Sequence, residues 1–558
     1  MGKLDLRKTI TLRATIRIVT GLAIIAAALV GPGRVAWADS GDHRAIVTEG
    51  GPLKGTTVGG VKEYLGIPYA APPVGSLRWT PPQSFGKWHG VLHATQFGSE
   101  CPQSGGGNED CLFLNVYAPK ADDHEDEAQG RGPKHHHDDK HREGRAVMVW
   151  IHGGGLTGGG ADQYDPSPLV NSGDVIVVTI NYRLGLLGFF AHPALDAEGH
   201  LAGNYGFMDQ QFALGWVQRN IAAFGGDPKR VTIFGESAGG ESVYSQLASP
   251  LAAGLFRGAI AESGSYAGFE DYTPWIVPIA TGETSGTLMV PAGTTLATLA
   301  GCASQTAACL RGVPAASFAS IQPFPMYPFI DGSLLAQDLG DAFNSGKFNQ
   351  VPVISGTNHD EYRLFIALDF DLNPAVGPLT NAGYVGAVNA LFGPFLAPFV
   401  LANYPLPATP QADAASLALG ASVTDAAFSC AARRADQALA KFVPTYAYEF
   451  NDENAPFVLL FPPLSFPLGA SHFAEVQYLL DYLGTPAPFT ANQEELSDAM
   501  ISYWTRFAKH GDPNSASTPV WSPYSATMDE FQSFVPPTPV VESSFASDHM
   551  CSTLWDFL

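Results

Sequence analysis

The 558-residue chain has the composition of a folded, globular protein. Hydrophobic residues make up 46% and charged residues only 15%, against roughly 25% charged in an average soluble domain, which excludes a disordered chain and a coiled coil. The formal net charge of −23 predicts a surface that repels nucleic acid and anionic membranes, so nucleic acid is excluded as a partner.

The first 38 residues are predicted to be a secretion signal. A basic stretch up to Arg17 precedes the apolar run Ile18–Val30, and Ala36-Trp37-Ala38 supplies small residues for cleavage. The apolar run has about 13 residues, too few to span a bilayer comfortably. We therefore expect cleavage after Ala38, secretion to an extracellular or periplasmic space, and no stable membrane insertion afterwards. An uncleaved membrane anchor is the alternative.

A polar segment at about residues 121–145 differs from the rest of the chain in composition. It contains five of the 15 histidines: His124, His135, His136, His137 and His141. Imidazole is a common metal ligand, so a metal-binding tract is one interpretation. A solvated loop with incidental affinity for transition metals is favoured, because no cysteine and no ordered ligand spacing accompany the histidines.

Residues 146–264 alternate short apolar runs with an amphipathic helix, a pattern typical of a parallel sheet covered by helices on both faces. The predicted strands are Val147–Ile151, Val175–Thr179, Val231–Phe234, Ala259–Ala261, Val351–Ser355 and Thr445–Phe450. The predicted helices are Asp209–Phe224 and Ala491–His510. Residues 266–350 and 366–440 mix Ala-rich helical stretches with Pro-rich loops, and we expect them to insert over the sheet.

Two glycine-rich motifs follow predicted strands. Gly235-Glu236-Ser237-Ala238-Gly239 matches GxSxG between a strand and a helix, where small neighbours leave a serine hydroxyl exposed above a sheet. His152-Gly153-Gly154-Gly155 follows the first predicted strand, and consecutive glycines allow backbone N–H groups to converge on an oxyanion. A phosphate-binding loop is the rival interpretation of the glycines, but no Lys-Ser/Thr pair follows them.

These motifs, with Gly203-Asn204-Tyr205-Gly206, Phe224-Gly225-Gly226-Asp227-Pro228 and Val231-Thr232-Ile233-Phe234, resemble the type-B carboxylesterase and cholinesterase family of α/β-hydrolases. The resemblance extends from about residue 45 to Cys551 and is most specific between residues 146 and 264. It implies that residues 39–558 form one α/β-hydrolase domain, with a central, mostly parallel sheet, flanking helices, and helical insertions over the active site.

The resemblance also implies the acid and the base of a catalytic triad. Asn358-His359-Asp360-Glu361 is similar to the family's acid segment, in which the Glu after the Asp is the triad member, so Glu361 is chosen and Asp360 is its rival. Gly469-Ala470-Ser471-His472 is similar to the histidine loop, which makes His472 the base. The remaining candidate histidines lack that context: His152, His359, His510 and His549.

The implied function is ester hydrolysis through an acyl-enzyme. Ser237 is expected to attack the ester carbonyl, His472 to move the proton, and Glu361 to stabilise the imidazolium, with Gly154, Gly155 and Ala238 as the oxyanion hole. No cofactor and no metal enters this scheme. The alternatives are a lipase or polyester-degrading hydrolase, and a non-catalytic binding or adhesion homologue that retains the triad.

The resemblance implies that the six cysteines pair in the way the family closes its bridges: Cys101 with Cys111, Cys302 with Cys309, and Cys430 with Cys551. Proximity in sequence favours the same pairs, although six cysteines allow 15 connectivities. In the family that this chain resembles, cholinesterases carry a choline-stacking Trp inside the first bridged loop, and lipases carry a long lid there. Here that loop is only Pro102–Asp110, without an aromatic residue, so the resemblance disfavours a choline-ester specialist and an interfacial lipase. Pro323–Phe329 and Phe457–Phe466 are candidates to line an apolar pocket for a small or medium ester.

Overall fold

A computed structural model describes residues 45–120, 144–266, 277–285, 291–409, 411–458 and 462–557. The predicted signal, residues 1–38, and nearly all of the His-rich segment lie outside the described residues.

A large twisted sheet forms the centre of the fold, and eleven strands of the described ranges belong to it. The strands occur in the spatial order β1-β2-β3-β5-β4-β6-β7-β8-β9-β10-β11. Those from β5 across to β10 are mutually parallel, and antiparallel strands complete both edges. Their bounds in chain order are Thr56–Val58, Val61–Pro68, Phe113–Pro119, Arg145–Ile151, Ile176–Ile180, Gly226–Glu236, Gly258–Glu262, Val353–Asn358, Thr445–Phe450, Phe531–Phe534 and Val540–Glu542.

Eight described helices of seven or more residues, α1 to α8, surround or extend the sheet. In chain order they are Ser167–Gly173, Tyr205–Asn220, Ala238–Ala248, Gly293–Leu299, Asn381–Asn403, Ala414–Val423, Cys430–Leu439 and Ala491–His510. Shorter α-helices are Gly185–Gly188, Pro193–Asp196, Ile279–Thr284, Ala307–Gly312, Ala315–Ala319, Leu339–Asn344, Arg363–Ile366 and Phe545–Asp548. Two π-helical segments, Ala367–Asp371 and Thr424–Ser429, adjoin them.

Short strand pairs and 3₁₀ turns make up the remaining regular structure. The minor strands are Ile46–Thr48, Gly51–Lys54, Leu92–His93, Tyr164–Asp165, Phe189–Phe190, Gly203–Asn204, Val277–Pro278, Phe329–Ile330 and Asp481–Tyr482. The 3₁₀ turns are Gly75–Leu77, Ala161–Gln163, Ile221–Phe224, Pro250–Ala252, Ala474–Tyr478 and Trp555–Phe557.

The alternation of side chains along β4 explains why helices cover both faces of the sheet. Val147, Val149 and Ile151 enter one apolar core, while Met148 and Trp150 enter the core on the opposite face. Successive strand residues point to opposite faces, so a strand apolar at every position must be buried on both sides. Helices α2 and α3 cover the first face, and α8 covers the second.

The structure confirms the predicted α/β-hydrolase architecture and the six predicted strands, with differences at the boundaries. The predicted helix Asp209–Phe224 is instead α2, which begins at Tyr205 and passes into a 3₁₀ turn at Ile221. The unpredicted first turn is 205–208, and Asp209, the predicted helix start, is instead a buried residue that forms an ion pair with Arg183 at 2.7 Å. A charged residue on the core-facing side hides the apolar period that sequence analysis relies on.

The inserted helices α5 and α6, with Cys430 at the start of α7, form a separate apolar cluster with the C-terminal segment, including Cys551 and Trp555, whereas most of the other buried apolar residues of α7 belong to the core on the first face of the sheet. Among the described residues, α5 and the run Ala414–Leu439 are long and apolar enough to cross a membrane by length and composition alone. The second run is 78% buried over its most apolar window and is therefore a core helix, whereas that window of α5 is only 17% buried. Phe395 and Phe399 of α5 are exposed, so this helix presents an apolar surface.

Candidate active site

The predicted nucleophile lies at a sharp turn between strand β6 and helix α3. Ser237 has φ 58° and ψ −123°, a conformation that L-residues rarely adopt and that costs of order 1–3 kcal/mol. Its N–H donates to the carbonyl of Glu262 on the neighbouring strand at 2.9 Å, which helps to hold the turn. The side chain is partly exposed at the end of the sheet, as a reacting hydroxyl requires.

The two glycines of the GxSxG motif are required by close backbone packing. A Cβ added at Gly239 would lie 1.9 Å from the carbonyl oxygen of Ile151, and one at Gly235 would lie 2.4 Å from the same atom. Both distances are far below van der Waals contact, and the obstructing atom belongs to the backbone of β4. Only glycine therefore allows the turn to press against that strand.

The glycine loop after β4 runs beside the serine. A Cβ at Gly153 would lie 3.1 Å from the Cβ of Ser237. Gly154 and Gly155 have φ of 105° and 62°, and their carbonyls accept hydrogen bonds from Thr157 and Met326. Ala238 begins helix α3, so its N–H has no intrahelical acceptor. These positions leave backbone N–H groups of the loop and of the helix start available to an oxyanion near Ser237.

Gly155→Ala is expected to reduce kcat for ester hydrolysis by about 10²- to 10³-fold, the usual effect of losing one oxyanion donor. The added Cβ would lie 2.5 Å from the ring of Phe324, and the left-handed φ adds strain. Gly254→Ala is the matched control, because Gly254 has φ 78° but no atom within 4 Å of the added Cβ. Equal losses of kcat in both variants would contradict the assignment.

The predicted base, His472, is buried between two carboxylates. Its Nδ1 lies 2.5 Å from Oε2 of Glu361, and its Nε2 lies 3.2 Å from Oε1 of Glu236, the residue before Ser237. Among the described residues Nε2 has no hydrogen-bond partner, and no hydrogen bond joins it to the Ser237 hydroxyl. Catalytic hydrogen bonds are often long before substrate binds, so the missing hydrogen bond to Ser237 is compatible with His472 as the base.

The structure separates the two candidate acids. Glu361 is fully buried; one of its oxygens faces His472, and the other accepts hydrogen bonds from Thr357 Oγ1 and the Asn358 N–H, both at 2.8 Å. Asp360 points elsewhere: it forms an ion pair with Arg363 at 2.8 Å and accepts from the Ala470 N–H at 3.0 Å. Glu361, the predicted acid, thus contacts the predicted base, whereas Asp360 links the acid loop to the histidine loop.

The electrostatics of this pocket favour a positively charged imidazole. Burial alone would lower the pKa of His472, but the nearby carboxylates of Glu236 and Glu361 outweigh it and hold that pKa above its ordinary value. Burial raises the pKa of Glu236 to about 7, against the opposing effect of His472. Burial, reinforced by Glu236 and Glu361, also raises the pKa of Glu475, whose Oε2 accepts from Nδ2 of Asn358 at 2.5 Å.

Two contacts of the site were not predicted from the sequence. Glu236 occupies a position that the GxSxG pattern leaves open, so the motif gave no reason to single it out. Phe324, within the predicted apolar stretch Pro323–Phe329, packs on Gly155. In the second predicted apolar stretch, Phe457–Phe466, Phe466 is instead buried in the helical insertion. Phe457 of that second stretch lies nearer the site, with its ring 6.4 Å from that of Phe473.

All three expected disulfides are confirmed. The bonded pairs are Cys101–Cys111, Cys302–Cys309 and Cys430–Cys551, with Cα–Cα distances of 5.0, 5.7 and 5.4 Å. The last bridge joins residues 121 positions apart and ties the C-terminal segment to the start of α7. It therefore fixes the tail beside the strands that carry the acid loop.

Comparison with known proteins identifies the family of this chain. The family model described as "Carboxylesterase family" matches residues 42–549. The acylcarnitine hydrolase of Mus musculus is 34% identical over 83% of this chain and 82% of its own length. The para-nitrobenzyl esterase of Bacillus subtilis (strain 168) is 32% identical over 85% of this chain and 91% of its own length.

A solved PNB esterase structure superposes with a TM-score of 0.71 and 30% identity, covering 91% of this chain and 99% of the other. The family model spans far more than half of the chain, and both curated relatives exceed 30% identity over most of their length. From the fold, the site and these relatives together, this chain belongs to the carboxylesterase family and is an ester hydrolase.

Proposed function

We propose that this carboxylesterase works by a serine mechanism with Ser237 as nucleophile, His472 as general base and Glu361 as the supporting acid. One observation carries the proposal: the His472 ring is held by Glu361 through Nδ1 and presents Nε2 at the Glu236-Ser237 turn. A carboxylate on Nδ1 fixes the tautomer in which Nε2 can accept a proton.

In this mechanism the Ser237 hydroxyl attacks the ester carbonyl while His472 accepts its proton. The N–H groups of Gly154, Gly155 and Ala238 hold the negatively charged oxygen of the tetrahedral intermediate. His472 then gives the proton to the departing alcohol, which leaves an acyl group on Ser237. Water repeats the attack with His472 as base, releasing the carboxylic acid and restoring the free serine.

The substrate is proposed to be a small or medium carboxylic ester. Phe324 packs on Gly155, so it narrows the space beside the proposed oxyanion hole. Met326 donates its N–H to Gly155 and also lines a small apolar cavity with Leu186, Phe190 and Phe329. A panel of soluble aryl esters of increasing acyl length tests this proposal. Hydrolysis rates are expected to fall as the acyl group lengthens, and Phe324→Ala is expected to restore the rates on the longer acyl groups.

A lipase acting on aggregated lipid is the second candidate function, and the exposed apolar helix α5 is the observation that favours it. Rates on a dissolved short-chain ester and on an emulsified triglyceride discriminate the two. The carboxylesterase proposal requires the dissolved ester to react faster. A steep rise in the hydrolysis rate once the substrate forms a separate phase would contradict the carboxylesterase proposal and favour a lipase.

The acid limb of the pH profile is expected to have its midpoint above 6.5, the ordinary pKa of histidine. Only neutral His472 can take the serine proton, and a raised pKa keeps the ring protonated, hence inactive, to a higher pH. Glu236→Gln removes a carboxylate 3.2 Å from Nε2 and is expected to shift the midpoint of kcat/KM to lower pH. Glu49→Gln, at an exposed ion pair, is the control. A wild-type rate that stays flat down to about pH 4 would contradict His472 as base.

Export is proposed from the predicted signal and from the three disulfides, which persist in oxidising compartments. Amino-terminal sequencing of protein recovered outside the cytoplasm is expected to begin at Asp39. Recovery of the unprocessed chain in a membrane fraction would favour the uncleaved anchor instead.

A further inference from the structure

A second cluster of polar side chains includes His359 of the acid loop. His359, Glu449 and His549 each offer one ligand atom, and these three atoms lie within 4.8 Å of one another. Glu449 and His549 are buried, whereas the side chain of His359 is 36% exposed, which provides a route from solvent. The residues come from the acid loop, the end of strand β9 and the C-terminal segment.

Each histidine of this cluster has a carboxylate on its Nδ1. Nδ1 of His549 lies 2.6 Å from Asp425, and Nδ1 of His359 lies 3.1 Å from Asp360. In metal sites an imidazole that binds an ion through one nitrogen almost always donates its other N–H to such a partner, which fixes the ring. Nε2 is therefore the atom through which each ring would bind an ion, and in His549 that atom contacts Glu449.

The carboxylate of Glu449 is oriented in the same manner. Its Oε2 accepts from Nδ2 of Asn451 at 2.8 Å, while its Oε1 lies 2.5 Å from Nε2 of His549. Asp425, which supports His549, is itself held by the hydroxyl of Tyr404 at 2.6 Å. Both ligating imidazoles and the ligating carboxylate thus have outer partners, although His549 and Glu449 also contact each other.

We propose that His359, Glu449 and His549 bind one divalent transition-metal ion, with Zn²⁺ as the ion that best suits two imidazoles and one carboxylate. Two imidazoles, one carboxylate and water form a known tetrahedral zinc ligand set. Ligands about 2 Å from a tetrahedral ion lie about 3.3 Å apart, so the 2.5 Å contact between His549 and Glu449 must open on binding. The proton shared between Nε2 of His549 and Glu449 is then released to solvent, because only an unprotonated nitrogen binds the ion. The ion takes no part in ester hydrolysis; it joins the acid loop to the C-terminal segment.

The test measures zinc directly and must first remove the His-rich tract, whose five imidazoles are alternative ligands for a transition-metal ion. In the full-length chain His124, His135, His136, His137 and His141 are replaced by Gln, and this chain is the background for every variant. Stripped protein is titrated with Zn²⁺ by calorimetry, and metal content after gel filtration is measured by mass spectrometry. We expect one Zn²⁺ per chain and a Tm that rises with zinc concentration.

His359→Gln removes a ligand and is expected to weaken zinc binding by more than about 100-fold. The comparison is with the loss of an outer hydrogen-bond partner, which weakens metal binding by at most about 100-fold. His359 is the most exposed ligand, so this variant is the one expected to fold normally, and circular dichroism checks that it does. Asp425→Asn, which removes only an outer partner, is expected to weaken binding by about 10- to 100-fold. His200→Gln, at a histidine paired with Glu198 outside the cluster, is the control and should bind as the background does.

A background chain that binds no Zn²⁺ after removal of the His-rich tract would overturn the proposal. The contacts of His549 with Asp425 and Glu449 would then be those of a charged imidazole held between two carboxylates. Zinc that is retained in a folded His359→Gln variant would overturn it equally. Co²⁺ substitution gives an independent readout, because tetrahedral coordination by this site should produce visible absorption bands that His359→Gln lacks.

Discussion

Replacement of Ser237 by Ala is expected to lower kcat for a soluble aryl ester by about 10⁶-fold, as removal of the nucleophile does in other serine hydrolases. The residual rate comes from the oxyanion donors and from substrate binding, which the change leaves in place. Folding should be unaffected, because Ala tolerates the left-handed φ of 58° about as poorly as Ser does. Steady-state kinetics with a chromogenic short-chain ester provide the measurement.

Ser320→Ala is the matched control, because Ser320 is an exposed serine whose hydroxyl donates a hydrogen bond only to the nearby carbonyl of Ser317. It should retain the full rate. A Ser237→Ala protein that hydrolyses esters as fast as wild type would contradict the serine mechanism. Wild-type protein that is folded but inert toward every activated ester would instead favour the non-catalytic binding homologue.

Glu361→Gln is expected to reduce kcat by about 10⁴-fold, the effect of neutralising the acid in other triads. The amide is nearly the same size as the carboxylate and can still accept hydrogen bonds from Thr357 and the Asn358 N–H. It can also donate to Nδ1 of His472, which favours the wrong tautomer and leaves the imidazolium without its counter-charge. KM should change little, since Glu361 lies behind the ring and does not face substrate.

Asp360→Asn provides the control for this prediction, because Asp360 is adjacent in sequence and also buried. Its partners are Arg363 and the Ala470 N–H, so we expect a lower Tm and a much smaller loss of kcat. The reverse pattern, in which Asp360→Asn abolishes turnover and Glu361→Gln does not, would assign the acid to Asp360.

The centre of the sheet could be predicted from the sequence because its physical signal is local. Val147–Ile151 and Thr445–Phe450 are short apolar runs rich in branched and aromatic residues, and the structure contains strands there. No strand was predicted before residue 146, although the antiparallel edge strands β1 to β3 lie there. Val61–Pro68 carries Lys62, Glu63 and Gly66, so neither an apolar run nor a clean alternation marks it.

In the site, too, some features are marked by a local sequence pattern and others arise only from contacts between distant residues. Ser237 and the glycine loop could be located because close packing demands glycine at fixed positions next to them. The contact between Glu236 and His472 joins residues 236 positions apart, and no local pattern encodes it. His549 has no local context that indicates a role, and its contacts with Asp425 and Glu449 join it to residues 124 and 100 positions away, which no local pattern encodes.

Organophosphate labelling followed by peptide mass spectrometry tests most directly whether His472 activates Ser237. The account predicts one phosphoryl adduct per chain, on the peptide that contains Ser237, formed rapidly in the wild type. The same adduct should form orders of magnitude more slowly in His472→Ala and not at all in Ser237→Ala. An adduct on any other residue, or sustained ester hydrolysis by an unlabelled enzyme, would contradict it.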